Sequence, residues 1–246
     1  MWPLSTAKLL FRHPTLQSLT LHFATLQEGP DLFSSVPAAS TGLEELSLLS
    51  CNINTESLAG ILRLPRCLKR FTLGTPFSYS SWEWGDSSSK YIAEMYPVYE
   101  TLECFRLISA PVLRGIWARG PAFGLQNFTA LKYLEIAGTS LVQPNEIYMT
   151  HRTPSTPAEY RLMLPPNLEI LKISPKAWTH HLYKVVAEKS EVPSLRRLIM
   201  SMVAEEDILE LRSCCQKAGV ELKVVHENIH VSFHGPPVWM IPDQVC

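Results

Sequence analysis

The sequence predicts an α/β repeat solenoid: a curved parallel sheet forming a horseshoe, with helices on its convex side. Two observations predict it. The stretch Leu43 to Ile53, LEELSLLSCNI, reads L-x-x-L-x-L-x-x-C-x-I. The same pattern then recurs along most of the chain. Leu46 and Leu48 alternate with Ser47, so a short strand points both leucines to one side. Cys51 falls where the chain leaves the strand, in a slot that favours a small or hydrogen-bonding residue.

The recurring phrases are LQSLTL at Leu16, Leu19 and Leu21, LKRFTL at Leu68, Phe71 and Leu73, and LECFRL at Leu102, Phe105 and Leu107. They continue with LKYLEI at Leu131, Leu134 and Ile136, LEILKI at Leu168, Leu171 and Ile173, and LRRLIM at Leu195, Leu198 and Met200. A degenerate eighth unit carries Leu222 and Val224. First positions are separated by 27, 25, 34, 29, 37 and 27 residues. The shorter spacings fit one strand and one helix per unit, and the longer ones require inserted loops. Ala24, Ala110 and Thr139 repeat the small residue seen at Cys51.

Residues 1–225 are therefore read as about eight irregular units, with insertions near 75–89, 111–124 and 143–157, and 226–246 as a C-terminal strand and irregular cap. Helices are expected at Ser5–Arg12, at Thr55–Leu64 with Thr55 as N-cap and Pro65 as stop, at Lys90–Tyr96, Ala158–Leu164 and Trp178–Lys189, and at Glu205–Ala218, which Gly219 ends. Leu58, Ile61 and Leu62 form the inward stripe of the second helix. The first insertion carries Phe77, Tyr79, Trp82 and Trp84, and those rings either close over one edge of the solenoid or pack onto it. The chain opens inside a unit with no polar cap ahead of it, so a missing upstream segment is expected.

Composition narrows the function. There are 22 basic and 23 acidic residues, a formal net charge of −1. That balance argues against a nucleic-acid surface or an anionic membrane surface. No run approaches the ~18 apolar residues of a membrane span. The N-terminus lacks the basic and apolar regions of a signal peptide. Six cysteines without C-x-x-C spacing read as reduced thiols in an intracellular protein, cytoplasmic or nuclear. The sequon Asn127-Phe128-Thr129 is then without consequence.

The chemistry-bearing residues do not assemble into a catalytic pattern. His226, His230 and His234 share a face if extended, yet residues four apart on a strand lie ~13 Å apart, too far to converge on a metal. His180 and His181 are helix neighbours pointing apart. Cys214 and Cys215 read as one exposed and one buried thiol. There is no G-x-S-x-G and no phosphate-cradling glycine loop. The reading is a non-enzyme with no cofactor and no metal.

The pattern resembles the leucine-rich-repeat family, nearest its long-repeat, ribonuclease-inhibitor-like class. The proline stops and the phrases PPNLEIL and PSLRRL are also similar to the repeat regions of fungal F-box proteins. That resemblance implies a substrate receptor of a ubiquitin ligase. A ubiquitin-ligase adaptor is implied as partner only if an F-box precedes the units.

Binding is expected on the concave face, where the positions between inward residues form three rows. The first is Ser18, Glu45, Arg70, Cys104, Tyr133, Ile170, Arg197 and Glu221. The second is Thr20, Ser47, Thr72, Arg106, Glu135, Lys172, Ile199 and Lys223. The third is His22, Leu49, Gly74, Ile108, Ala137, Ser174, Ser201 and Val225. The candidate partner-binding residues are Leu49, Arg70, Arg106, Ile108, Tyr133, Glu135, Lys172 and Arg197, with Tyr133 and the arginines as anchors. Glu135, read as facing out, is expected to tolerate removal far better than Leu134. Two readings stay open: a protein-binding scaffold, or a structural repeat segment of a larger protein with no partner of its own.

Overall fold

A computed structural model describes residues 10–11, 13–26, 33, 36–74, 92–108, 125–137, 164–174, 186–187, 192–201 and 205–225. The insertions near 75–89, 111–124 and 143–157, most of the helices expected at Ala158–Leu164 and Trp178–Lys189, and the tail 226–246 with its three histidines lie outside them. So do His180, His181, Ala110 and Thr139. Leu164 itself is described and is not helical.

The described chain is mixed α/β and is built around a parallel sheet of eight strands. These are β1 (Ser18–His22), β3 (Glu45–Leu49), β5 (Arg70–Gly74), β6 (Cys104–Ile108), β7 (Tyr133–Ala137), β8 (Ile170–Ser174), β9 (Arg197–Ser201) and β10 (Glu221–Val225). They follow one another across the sheet in chain order. Two short strands, β2 (Thr25–Leu26) and β4 (Asn52–Ile53), pair separately. Among the described residues the longer helices are α1 (Thr55–Leu62) and α2 (Glu205–Ala218).

Register follows the two-residue alternation of each unit. Leu19, Leu46, Phe71, Phe105, Leu134, Leu171, Leu198 and Leu222 lie side by side, as do Leu21, Leu48, Leu73, Leu107, Ile136, Ile173, Met200 and Val224. Both rows bury toward a single core, and most of their central members are wholly enclosed. At the ends Leu21, Leu222 and Val224 are only half-buried, because each has a strand on one side alone among those described. Three phenylalanines thread the core at mid-sheet. Phe71 and Phe105 stack with centroids 5.8 Å apart, and Phe105 continues onto Phe128 at 6.4 Å.

The strand exits are built alike in the first two units. Phe23 and Ser50 directly follow β1 and β3 and both take positive φ, 54° and 52°. Their N–H groups still donate across the sheet, to Leu49 O and Gly74 O. The left-handed residue then swings the chain off the sheet and into the β2–β4 pair. Cys51 sits just beyond that turn, fully buried. Its thiol reaches Leu21 O at 3.4 Å and Leu49 O at 3.5 Å, which is the hydrogen-bonding use expected of that slot.

Helix α1 departs from expectation at both ends. The cap is Asn54, not Thr55: Asn54 is extended, and its Oδ1 accepts from Ser57 N at 2.8 Å. Leu64 N turns back to Ile61 O, a tighter closure that ends the helix at Leu62, and Pro65 instead bridges to Thr41. The inward stripe Leu58, Ile61 and Leu62 is buried as expected, joined by Ser57. Where a helix was expected over Lys90–Tyr96, the described residues are helical at Ile92 and Ala93 and then give way to a 3₁₀ turn, Tyr96–Val98, in which Pro97 has no N–H to give.

Helix α2 has the expected bounds. Gly219, at φ 67°, lets Val220 N reach Cys215 O at 2.8 Å and Gly219 N reach Gln216 O, closing the last turn. Leu211 and Cys215, one turn apart, face the sheet, while Leu209 is 69% exposed. Burial pushes the Cys215 thiol up to about 11. Cys214 is half-buried instead of exposed.

Leu134 is fully enclosed between β6 and β8. Leu134→Ala should therefore cost on the order of 2–5 kcal/mol through loss of apolar contact and the cavity left behind. Lys132→Ala, exposed two residues earlier, should stay within about 0.5 kcal/mol. Urea denaturation of the two variants checks the inward and outward assignments.

Candidate functional site: the outward face of the sheet

The side of the sheet away from the core carries the three rows read from the sequence. All eight first-row and all eight second-row residues lie side by side in register, in that order. The third row pairs from His22 to Ser174, and again between Ser201 and Val225.

At mid-sheet four candidate residues come together. Arg106 on β6, Glu135 on β7 and Lys172 on β8 stand on adjacent strands. Arg106 Nε donates to Glu135 Oε2 at 2.5 Å, and Lys172 Nζ meets Glu135 Oε1 at 2.9 Å. Tyr133 Oη, two residues before Glu135 on the same side of β7, donates to Oε2 at 3.2 Å. Both carboxylate oxygens are thus occupied by charge-assisted bonds.

The burial of this group was not expected. Glu135 is 3% exposed and Tyr133 8%, and the side chains of Arg106 and Lys172 are 18% and 13% exposed. Glu135 consequently cannot be the lightly held surface residue that its outward position suggested. Burial by itself would raise its carboxyl. Arg106 and Lys172, with their hydrogen bonds, more than reverse that and hold it below the ordinary glutamate value. The cluster carries one positive charge in excess.

The other four candidates lie apart from this group. Arg70 pairs with Glu45 at 3.0 Å and Arg197 with Glu221 at 2.7 Å, each arginine 40% exposed. Leu49 and Ile108 are half-buried at the ends of β3 and β6, on either side of Gly74. A Cβ on Gly74 would lie 3.1 Å from Leu49 Cδ2, so Leu49 drapes over the space glycine leaves. Of the eight candidates, Arg70, Arg197, Leu49 and Ile108 stand outside the enclosed group, the two arginines being the most exposed.

One row escaped the sequence reading. From the second unit to the seventh, the residue after the first leucine is Glu44, Lys69, Glu103, Lys132, Glu169 and Arg196, alternating in sign over six consecutive units. Each N–H in that run donates to the carbonyl of the preceding member, from Lys69 to Glu44 through Arg196 to Glu169. Lys69 reaches Glu44 at 3.0 Å and Arg196 pairs with Glu169. The hydrogen bond to Glu44 is the main reason the Lys69 ammonium is held above its ordinary value. The signal is present in the spacing, one residue after the first leucine of each of these units, outside the positions that alternate with the inward pair.

Cys104, also on the first row, is disulfide-bonded. That corrects the expectation of six reduced thiols. Cys51, Cys67, Cys214 and Cys215 are free. Among the described residues no group of three or more His, Cys, Asp or Glu could hold a metal, and no helix is long and apolar enough to cross a membrane.

Glu135→Gln removes the anion that two enclosed cations share, and should cost on the order of 3–5 kcal/mol at neutral pH. Because the folded carboxyl titrates below its ordinary value of 4.5, its contribution is complete above that pH and is lost as pH falls through the lower, folded value. Wild-type stability should therefore fall more steeply in acid than that of Glu135→Gln, and the two should converge. Urea midpoints measured from pH 7 downward test both statements. Tyr133→Phe, which removes the hydroxyl and with it the bond to the carboxylate, should cost about 1.5–3 kcal/mol.

No family model, curated protein or solved structure matches the chain.

Proposed function

We propose that the chain is a leucine-rich-repeat solenoid that works as a non-enzymatic protein-binding scaffold. The observation that carries this reading is the common register of eight parallel strands in chain order. Such an array turns each outward position into a row spanning roughly 34 Å at the ~4.8 Å strand spacing. A face of that length, made of side chains that need not support the core, suits recognition of another protein. Arg70 and Arg197, near the two ends of the first row, are its most accessible arginines, and arginine is favoured at binding anchors.

The F-box-like phrases support a more specific form, a substrate receptor of a ubiquitin ligase. In that form an F-box upstream of the units would hold the adaptor. The free thiols Cys51, Cys67, Cys214 and Cys215 support an intracellular setting, where a disulfide such as that of Cys104 would be a reversible one.

A second reading is favoured by one observation. Arg106, Glu135, Lys172 and Tyr133 satisfy one another and are enclosed. Charges used in that way support a structural segment whose face has no external partner.

Arg70→Ala combined with Arg197→Ala separates the two readings. The ion pairs removed are exposed and worth about 0–1 kcal/mol each, so the thermal midpoint should move by only a few degrees. A protein that co-purifies with the wild-type chain and is lost with the double variant supports the scaffold. A folded variant that keeps every wild-type partner overturns binding at this face.

A further inference from the structure

The charged row Glu44, Lys69, Glu103, Lys132, Glu169 and Arg196 runs along the rim where the strands begin, each member one residue ahead of its strand. Its backbone is held firmly. Each carbonyl from Glu44 to Glu169 takes two successive N–H groups from the next unit, as Glu103 O takes Lys132 N at 2.9 Å and Tyr133 N at 3.0 Å. The row therefore keeps the strand spacing over its five intervals, roughly 24 Å in all. Its ends close ion pairs, Glu44 with Lys69 and Glu169 with Arg196. Its middle does not. Glu103 and Lys132 are exposed side by side, and neither closes an ion pair among the described residues.

Three acids alternate with three bases, so the row read backwards has the opposite sign at every position. A two-fold axis perpendicular to the strands, passing between β6 and β7, reverses the row in just this way. It sets Glu44 against Arg196, Lys69 against Glu169 and Glu103 against Lys132 of a second copy, and each pair occurs twice. The same axis passes through the middle of the eight-strand sheet. Beyond the row the equivalent positions, Gln17 and Val220, are uncharged. The turns leading into the strands add no like-charge conflict. Arg66 and Cys67 come against Pro166 and Asn167, and Glu100 and Thr101 against Thr129 and Ala130.

We propose that two copies of this chain associate along the rim, strand starts facing strand starts, about that axis. A partner surface of a single sign would attract three members of the row and repel the other three. The chain's own row matches all six. The formal net charge of −1 leaves little long-range repulsion between copies. Such an interface is narrow and polar, so the association is weak and screened by salt, and its charges serve mainly to fix orientation. This inference does not rest on the scaffold reading, and its test contains no other protein.

Sedimentation velocity of the full chain should show a dimer at low ionic strength that dissociates as salt is added. Glu103→Lys and Lys132→Glu, each alone, place like charges against one another twice per dimer and should weaken association by roughly tenfold or more. An equimolar mixture of the two variants should regain wild-type association, because one copy then brings two bases to the axis and the other two acids. Circular dichroism checks that each variant is folded. A wild type that stays monomeric at low ionic strength overturns the proposal. So do single variants that associate as the wild type does, or a mixture that associates no better than either variant. Should a reversal unfold the chain, Lys132→Ala takes its place: weaker association supports the rim dimer, and unchanged association overturns it.

Discussion

Each strand places two apolar side chains on the same side, and no single unit can cover them. That constraint organises the molecule. Leu134 and Ile136 are enclosed because β6 and β8 bring equivalent pairs to either hand, while Leu21 and Leu222, with one such neighbour each, remain half-open. Burial is thus a property of the row and grows toward its middle. The stacked rings of Phe71, Phe105 and Phe128 sit where the row is best covered. Leucine gives way to phenylalanine there without a change of register, because the inward space is shared between neighbouring units.

The outward face obeys different energetics. Enclosing Glu135 with Arg106 and Lys172 takes three charges out of water. The attraction regained need not exceed that desolvation, and an apolar trio of similar volume could be as stable. What ionic pairing adds is selectivity among strand neighbours. Glu135 accepts from β6 and β8 simultaneously and from Tyr133 on its own strand. Any other neighbour would strand an enclosed charge. The exposed pairs Arg70–Glu45 and Arg197–Glu221 contribute little energy for the opposite reason: water already solvates them well.

Register was legible in the sequence because it depends on local alternation, which single residues report. Leu46 and Leu48 around Ser47 settle which side is inward, and the recurrence of the phrase settles who neighbours whom. Glu205–Ala218 was legible for a similar reason, with acidic residues at its start and a glycine at its end. The burial of Glu135 and Tyr133 was not. It depends on how the side chains of neighbouring strands pack over one another, with Arg106 and Lys172 drawn in around the carboxylate. Alternation says which side a residue faces, not whether that side is wet. Asn54 was passed over as a cap because Thr55 satisfied the same rule one position later. Which oxygen meets Ser57 N is decided by the extended backbone of Asn54, a property that the neighbouring letters do not carry.

The alternation of Glu44, Lys69, Glu103, Lys132, Glu169 and Arg196 bears on how a chain of this kind can change length. Deleting the unit that contains Lys69 would bring Glu44 beside Glu103, and deleting the one with Glu103 would bring Lys69 beside Lys132. Like charges on adjacent strands repel. Removing two consecutive units restores opposite neighbours, as does inserting two. Each step is small, but it recurs at five successive junctions of the array. Among in-frame rearrangements of the gene, even numbers of units would be tolerated more readily than odd ones. The ladder imposes a parity on a fold whose apolar rows have none.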